Sequence, residues 1–135
     1  MTRREMIGGG SSWPERYTFS PAVRVGNLLF ISGMTAVDET GSIVGPGDIV
    51  AQTRYIYQKL EAILIAAGAG FEHVVQTTEY ITTTENYRKT AAVRREVFTA
   101  PFPSATGVIV KGLLREDALI EISAIAVLAE GQPAR

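Results

Sequence analysis

A chain of 135 residues suits one domain built round one core. Its 13 Lys and Arg against 14 Asp and Glu leave a formal net charge of -1, and neither half is strongly basic, which argues against nucleic acid as a main partner. With no cysteine, disulfides, thiolate metal sites and a cysteine nucleophile are excluded, a composition that fits a cytoplasmic protein. No apolar run approaches transmembrane length, so no membrane partner is expected. The basic start MTRREMIGGGSS has no apolar stretch behind it and does not read as a signal peptide.

A single domain is expected over residues 1–135, with 1–16 as an N-terminal edge segment and 130–135 as a tail. Arg4–Ile7 reads as a short edge strand ended by Gly8-Gly9-Gly10. That triplet is a flexible turn rather than a phosphate cradle, since no lysine follows it and no helix opens there. Trp13–Ser20 is irregular, and aromatic residues are spread along the chain rather than clustered. Ala22–Val25 and Leu28–Ser32 read as strands joined by a tight Gly26-Asn27 turn. After the turn-rich loop Asp38–Pro46 comes a long helix, Asp48–Ala67. Its Ile49, Thr53, Ile56, Leu60, Ile63, Leu64 and Ala67 recur at three- and four-residue steps, with Asp48 as N-cap and Gly68 as the ending residue. Tyr55 and Tyr57 point away from that stripe, toward the surface or an oligomer contact.

Val74–Ile81 alternates and is rich in β-branched residues, a strand. Thr82-Thr83-Thr84-Glu85 matches a capping box that opens a second helix reaching about Phe98. Ser104–Leu113 is the next strand. The last, Ala118–Leu128, is apolar on both parities and therefore central. The fold class is α+β: a mixed sheet with two helices on one face. Nothing in the chain is left to cover the other face, so a symmetric oligomer is expected to do so.

Two charged residues stand out against this pattern. Glu121 lies in the middle of the central strand, where a carboxylate needs either a buried donor, Arg94 or a backbone amide, or a cleft in which a raised pKa is useful. Arg94 is centred on the apolar face of the second helix and needs an acceptor: a structural partner, or a bound anion. Ser32 beside Gly33 either finishes a turn or hydrogen-bonds a ligand. His73 is the only histidine, so histidine-based metal ligation and a serine–histidine triad are excluded.

The run Ser20-Pro21-Ala22-Val23-Arg24-Val25-Gly26-Asn27-Leu28-Leu29-Phe30-Ile31-Ser32-Gly33 resembles the N-terminal signature of the YjgF/RidA (Rid) family. Asp48…Gln52, Ala66-Ala67-Gly68 and Ile120-Glu121-Ile122-Ser123-Ala124-Ile125-Ala126 match its later blocks. The resemblance runs from about Tyr17 to Leu128. It implies a chorismate-mutase-like fold, a homotrimer with clefts between subunits, and small-molecule substrates: reactive imines and enamines hydrolysed without a cofactor. It also implies site residues. Glu121 takes the place of the glutamate that handles water, Phe19 that of a cleft tyrosine, and Ser32 that of a cleft serine.

The family's Pro-Ala-Arg-Ser/Thr run is here Pro103-Ser104-Ala105-Thr106. Alanine therefore stands where an arginine grips the substrate carboxylate, and Ala91 replaces a frequent asparagine. The branch that lacks this arginine acts on other, often larger, substrates. Backbone groups of Ala105, Thr106 and Gly107 are expected to position the substrate, with Arg94 as a substitute cation. The alternative is a non-catalytic trimer that binds a small metabolite.

Overall fold

The computed structural model describes residues 3–8 and 13–129. The Gly9-Gly10 pair of the triple glycine and the 130–135 tail lie outside them. Six strands form one sheet: β1 Glu5–Ile7, β2 Ala22–Val25, β3 Leu28–Met34, β4 Val74–Ile81, β5 Ser104–Ile109 and β6 Ile120–Val127, in the order β1-β2-β3-β6-β4-β5. All pairings are antiparallel except β4 with β5. That parallel pair is linked by the crossover containing α2, Thr90–Val97, while α1, Ile49–Ala66, links β3 to β4.

β6 occupies the middle, as its two apolar parities require. Ile120, Ile122, Ala124 and Ala126 are buried under the helices, while Glu121, Ser123, Ile125 and Val127 are half-buried on the face that no helix covers. The stripe of α1 closes the core: Ile49, Thr53, Ile56, Leu60, Ile63 and Leu64 are all buried. Each fully buried aliphatic side chain contributes roughly 1.5–3 kcal/mol relative to exposure.

The ends of α1 are built by local hydrogen bonds. Asp48 Oδ1 accepts from the N–H groups of Val50 (3.1 Å) and Ala51 (3.0 Å). At the other end Gly68, at φ 74°, lets Ala69 N–H reach Leu64 O (2.8 Å) while its own N–H reaches Ile65 O (2.9 Å), a Schellman arrangement. Replacing Asp48 by alanine is expected to cost about 1 kcal/mol, read as a lower urea midpoint at an unchanged m-value.

Three expectations are corrected. The second helix does not open at Thr82-Thr83-Thr84-Glu85. Asn86 adopts a left-handed conformation (φ 59°), a 3-10 turn Tyr87–Lys89 follows, and α2 begins only at Thr90. The threonines instead make a local turn, in which Glu85 N–H donates to Thr83 Oγ1 (3.1 Å). The strand expected over Ser104–Leu113 stops at Ile109, after which Val110 N–H still reaches Ile81 O (2.9 Å) before the chain turns away. Tyr57 is not a surface residue but 2 % exposed, because α2 packs over that flank of α1 and gives it a second buried side.

Candidate active site

Strand pleating divides the site residues between the two faces of the sheet. Residues paired across neighbouring strands share a face. Glu121 pairs with Tyr80 and stands on the open face; Glu79 pairs with Ile122 on the helix face. Along β5, Thr106 pairs with Thr78 and falls on the Glu121 face, while Ala105 and Gly107 pair with Thr77 and Glu79 and face the helices. Of the three β5 positions expected to meet substrate, the pleat thus aligns one with Glu121. All three are exposed.

Arg94 is also on the helix face. Its Nη1 donates to Tyr57 Oη (2.7 Å), Thr77 Oγ1 (3.1 Å) and Glu79 Oε2 (3.4 Å), and its guanidinium lies 5.2 Å from the centroid of the Phe98 ring. Tyr87 Oη donates to the other oxygen of Glu79. Burial, aided by that hydrogen bond, pushes the Tyr87 phenol up to about 12, and burial raises the Tyr57 phenol further still. The structure therefore gives Arg94 a structural partner, and that partner is Glu79. Sequence reasoning passed over Glu79, although its parity with Ile81 and Thr77 was the available signal.

With Arg94 committed elsewhere, Glu121 has no hydrogen-bonding or ionic partner among the described residues. Burial alone raises its pKa above the ordinary glutamate value. Its carboxyl group lies against Gly33. A Cβ at residue 33 would sit 3.0 Å from Glu121 Cδ and collide with Oε2, so a larger residue here would push the carboxyl out of this position. The approach depends on an irregularity in the sheet. Ile31 pairs with Ala124 and Met34 with Ile122, so Ser32 and Gly33 together oppose Ser123 in a bulge.

Ser32 fixes this bulge from the other side. Its N–H donates to Pro21 O (2.9 Å) and its hydroxyl to Ser20 O (2.6 Å). Those two bonds tie down the irregular segment that precedes β2, and Phe19 with it. A cleft of about 480 Å³ opens there, with Phe19, Ser32, Gly33, Lys59 and Arg115 among its lining residues. Gly33 lines the cleft and is also the residue that Glu121 approaches, although Glu121 itself is not among the lining residues; the volume is that of a small-molecule site.

Two aromatic groups escaped the sequence reading, which took these residues as dispersed. Trp13, Tyr17 and Phe19 pack together at the cleft, and Tyr57, Phe71 and Phe98 pack edge to face under α2. His73 caps a short turn, accepting from Gly70 N–H at Nδ1 (3.0 Å). Among the described residues no cluster of three or more His, Cys, Asp or Glu side chains is placed to hold a metal, and no helix is long and apolar enough to cross a membrane.

One mixed sheet with two helices on a single face, and an unpartnered acid at a bulge beside a cleft, define a small α+β protein with that acid on the uncovered side. The family model described as Endoribonuclease L-PSP matches residues 12–128, and the chain belongs to this family, that of the RutC, YjgF and Rid proteins. A RutC family protein of Pyrococcus abyssi is 39% identical over 80% of this chain and 84% of its own length. The 3-aminoacrylate deaminase RutC of Acinetobacter baylyi is 31% identical over 91% of this chain and 97% of its own. Among solved structures, the Rid family protein YyfA of Yersinia pestis, described as of unknown function, superimposes with a TM-score of 0.84 at 28% identity. That match covers 93% of this chain and all of the other.

Proposed function

We propose that the protein hydrolyses an imine or enamine to the carbonyl compound and ammonia, with Glu121 as the proton-transferring group. An enamine first takes a proton on carbon and gives up one from nitrogen, which yields the imine. Water then adds to the C=N carbon, a proton passes to nitrogen, and collapse of the carbinolamine expels ammonia as the C=O bond forms. Each stage needs one group that both accepts and donates a proton, and a carboxyl with a raised pKa is suited to that. The single observation that carries this reading is the unpartnered, half-buried carboxyl of Glu121 held against Gly33.

The likeness to a 3-aminoacrylate deaminase supports the reaction class. The substrate differs from a small imino acid gripped by an arginine, because Ala105 offers no side-chain donor. The working unit is a homotrimer with clefts between subunits. Leu28, Phe30, Ile125 and Val127 share the uncovered sheet face, and this apolar surface supports burial against other copies.

Purified protein is expected to sediment as a trimer and to release ammonia from imines with side chains larger than that of 2-iminopropanoate. A monomer in sedimentation overturns the assembly. Ligand binding without ammonia release on any of these compounds overturns the hydrolase and favours the metabolite-binding alternative.

A further inference from the structure

We propose that the cleft beside Gly33 selects substrates carrying a flat apolar ring, with Trp13, Tyr17 and Phe19 as the surface that receives it. The proposal rests on the imine- or enamine-hydrolysis reading and names the class of side group that the substrate bears. Three rings from one irregular stretch converge at the cleft wall. Trp13 meets Tyr17 edge-on at 5.1 Å between centroids and Phe19 edge-on at 5.5 Å, while Tyr17 and Phe19 stack at 5.4 Å and 8°.

The cluster is held in place rather than merely collapsed. Trp13 Nε1 donates to Phe19 O (2.9 Å), and Ser32 anchors the next residue through Ser20 O (2.6 Å). Phe19 remains 54 % exposed and Tyr17 41 %, with the Arg16 guanidinium 5.2 Å from the Tyr17 ring centroid, so Phe19 presents the larger open ring. A pre-ordered aromatic surface binds a further ring at little entropic cost.

Most charged groups lining the same cleft are already engaged. Lys59 Nζ donates to Thr35 O (2.8 Å) and Val37 O (3.0 Å). Arg115 Nε donates to Asp117 Oδ1 (2.6 Å). Asp38 Oδ1 accepts from the Thr40 hydroxyl (2.7 Å) and the Ser42 N–H (3.1 Å). Lys59 and Arg115 are matched in number by Asp38 and Glu39 among the lining residues, so net charge does not choose the ligand. The rings supply the uncommitted contact.

The test compares phenylpyruvate with pyruvate, the keto acids that hydrolysis of the corresponding 2-imino acids would yield. Titration calorimetry of the full chain is expected to give phenylpyruvate an affinity about ten- to a hundred-fold higher, the factor for burying one ring. Trp13 is the only tryptophan, so its emission should change on saturation with phenylpyruvate. Phe19→Ala and Tyr17→Ala, both at exposed rings, should each reduce the affinity ratio at least about three-fold with an unaltered melting curve.

Equal affinities, no binding of either keto acid, or a ratio untouched by both variants overturns the ring surface. If both imino acids are nevertheless hydrolysed, the hydrolase reading stands without it. If the phenyl preference holds but neither imino acid is hydrolysed, the ring surface stands and the hydrolase reading falls.

Discussion

Replacing Glu121 by glutamine is expected to lower turnover of an accepted imine by about a hundred- to ten-thousand-fold while leaving the protein at least as stable. The first effect is the usual loss when a positioned proton-transfer group is removed. The second follows from linkage. Burial raises the folded-state pKa of Glu121, so the protonated form is the one the fold favours. Any stability tied to that proton is fully present below the unfolded pKa and is lost as pH rises through the folded value. At neutral pH the wild-type carboxylate therefore opposes folding slightly, and the neutral glutamine removes that opposition. The stability gap should close below about pH 4, where the carboxyl is protonated in both states. Melting curves at pH 4 and pH 7, beside steady-state rates, check both halves. Unchanged turnover would remove Glu121 from the mechanism, and a large loss of stability at pH 7 would contradict its unpartnered environment.

The second large effect is expected at Arg94. Arg94→Met leaves the Glu79 carboxylate, 3 % exposed, with Tyr87 as its remaining donor. Removing one partner of a buried pair costs about 3–5 kcal/mol, chiefly because the other charge is stranded. The paired substitution Arg94→Met with Glu79→Leu takes out both charges and should recover most of that loss. Urea denaturation of the two single variants and the double closes the cycle. Additive losses would mean that the two residues do not depend on each other. Because Arg94 and Glu121 stand on opposite faces of the sheet, the double variant also separates the two roles, and an imine-hydrolysing protein should keep its activity in it.

What was legible in the sequence tracks how local the signal was. The parity of Ile120 to Val127 and the stripe of α1 depend only on side-chain periodicity, and both put the right residues inside. The onset of α2 was misread because a threonine-rich run followed by glutamate satisfies the capping pattern, while a left-handed Asn86 one residue later decides the geometry. Tyr57 was misplaced because a single helical stripe does not register a second neighbour, Arg94, arriving from 37 residues away. Glu79 shares the buried parity of Thr77 and Ile81, but a charged residue at such a position reads as solvated until its partner Arg94 is seen to arrive from α2. The bulge at Ser32-Gly33 and the gathering of Trp13, Tyr17 and Phe19 have no periodicity at all. They arise from hydrogen bonds between segments that only the folded chain brings together.

β5 has one more consequence. It ends the sheet, all six of its residues are exposed, and neither charge nor proline interrupts Ser104–Ile109, although Pro103 and Lys111 flank it. Such an unguarded rim is a template on which a stray chain can add as another rung. Substitutions or dilutions that strip away whatever normally shields it should therefore declare themselves first as turbidity and lost yield.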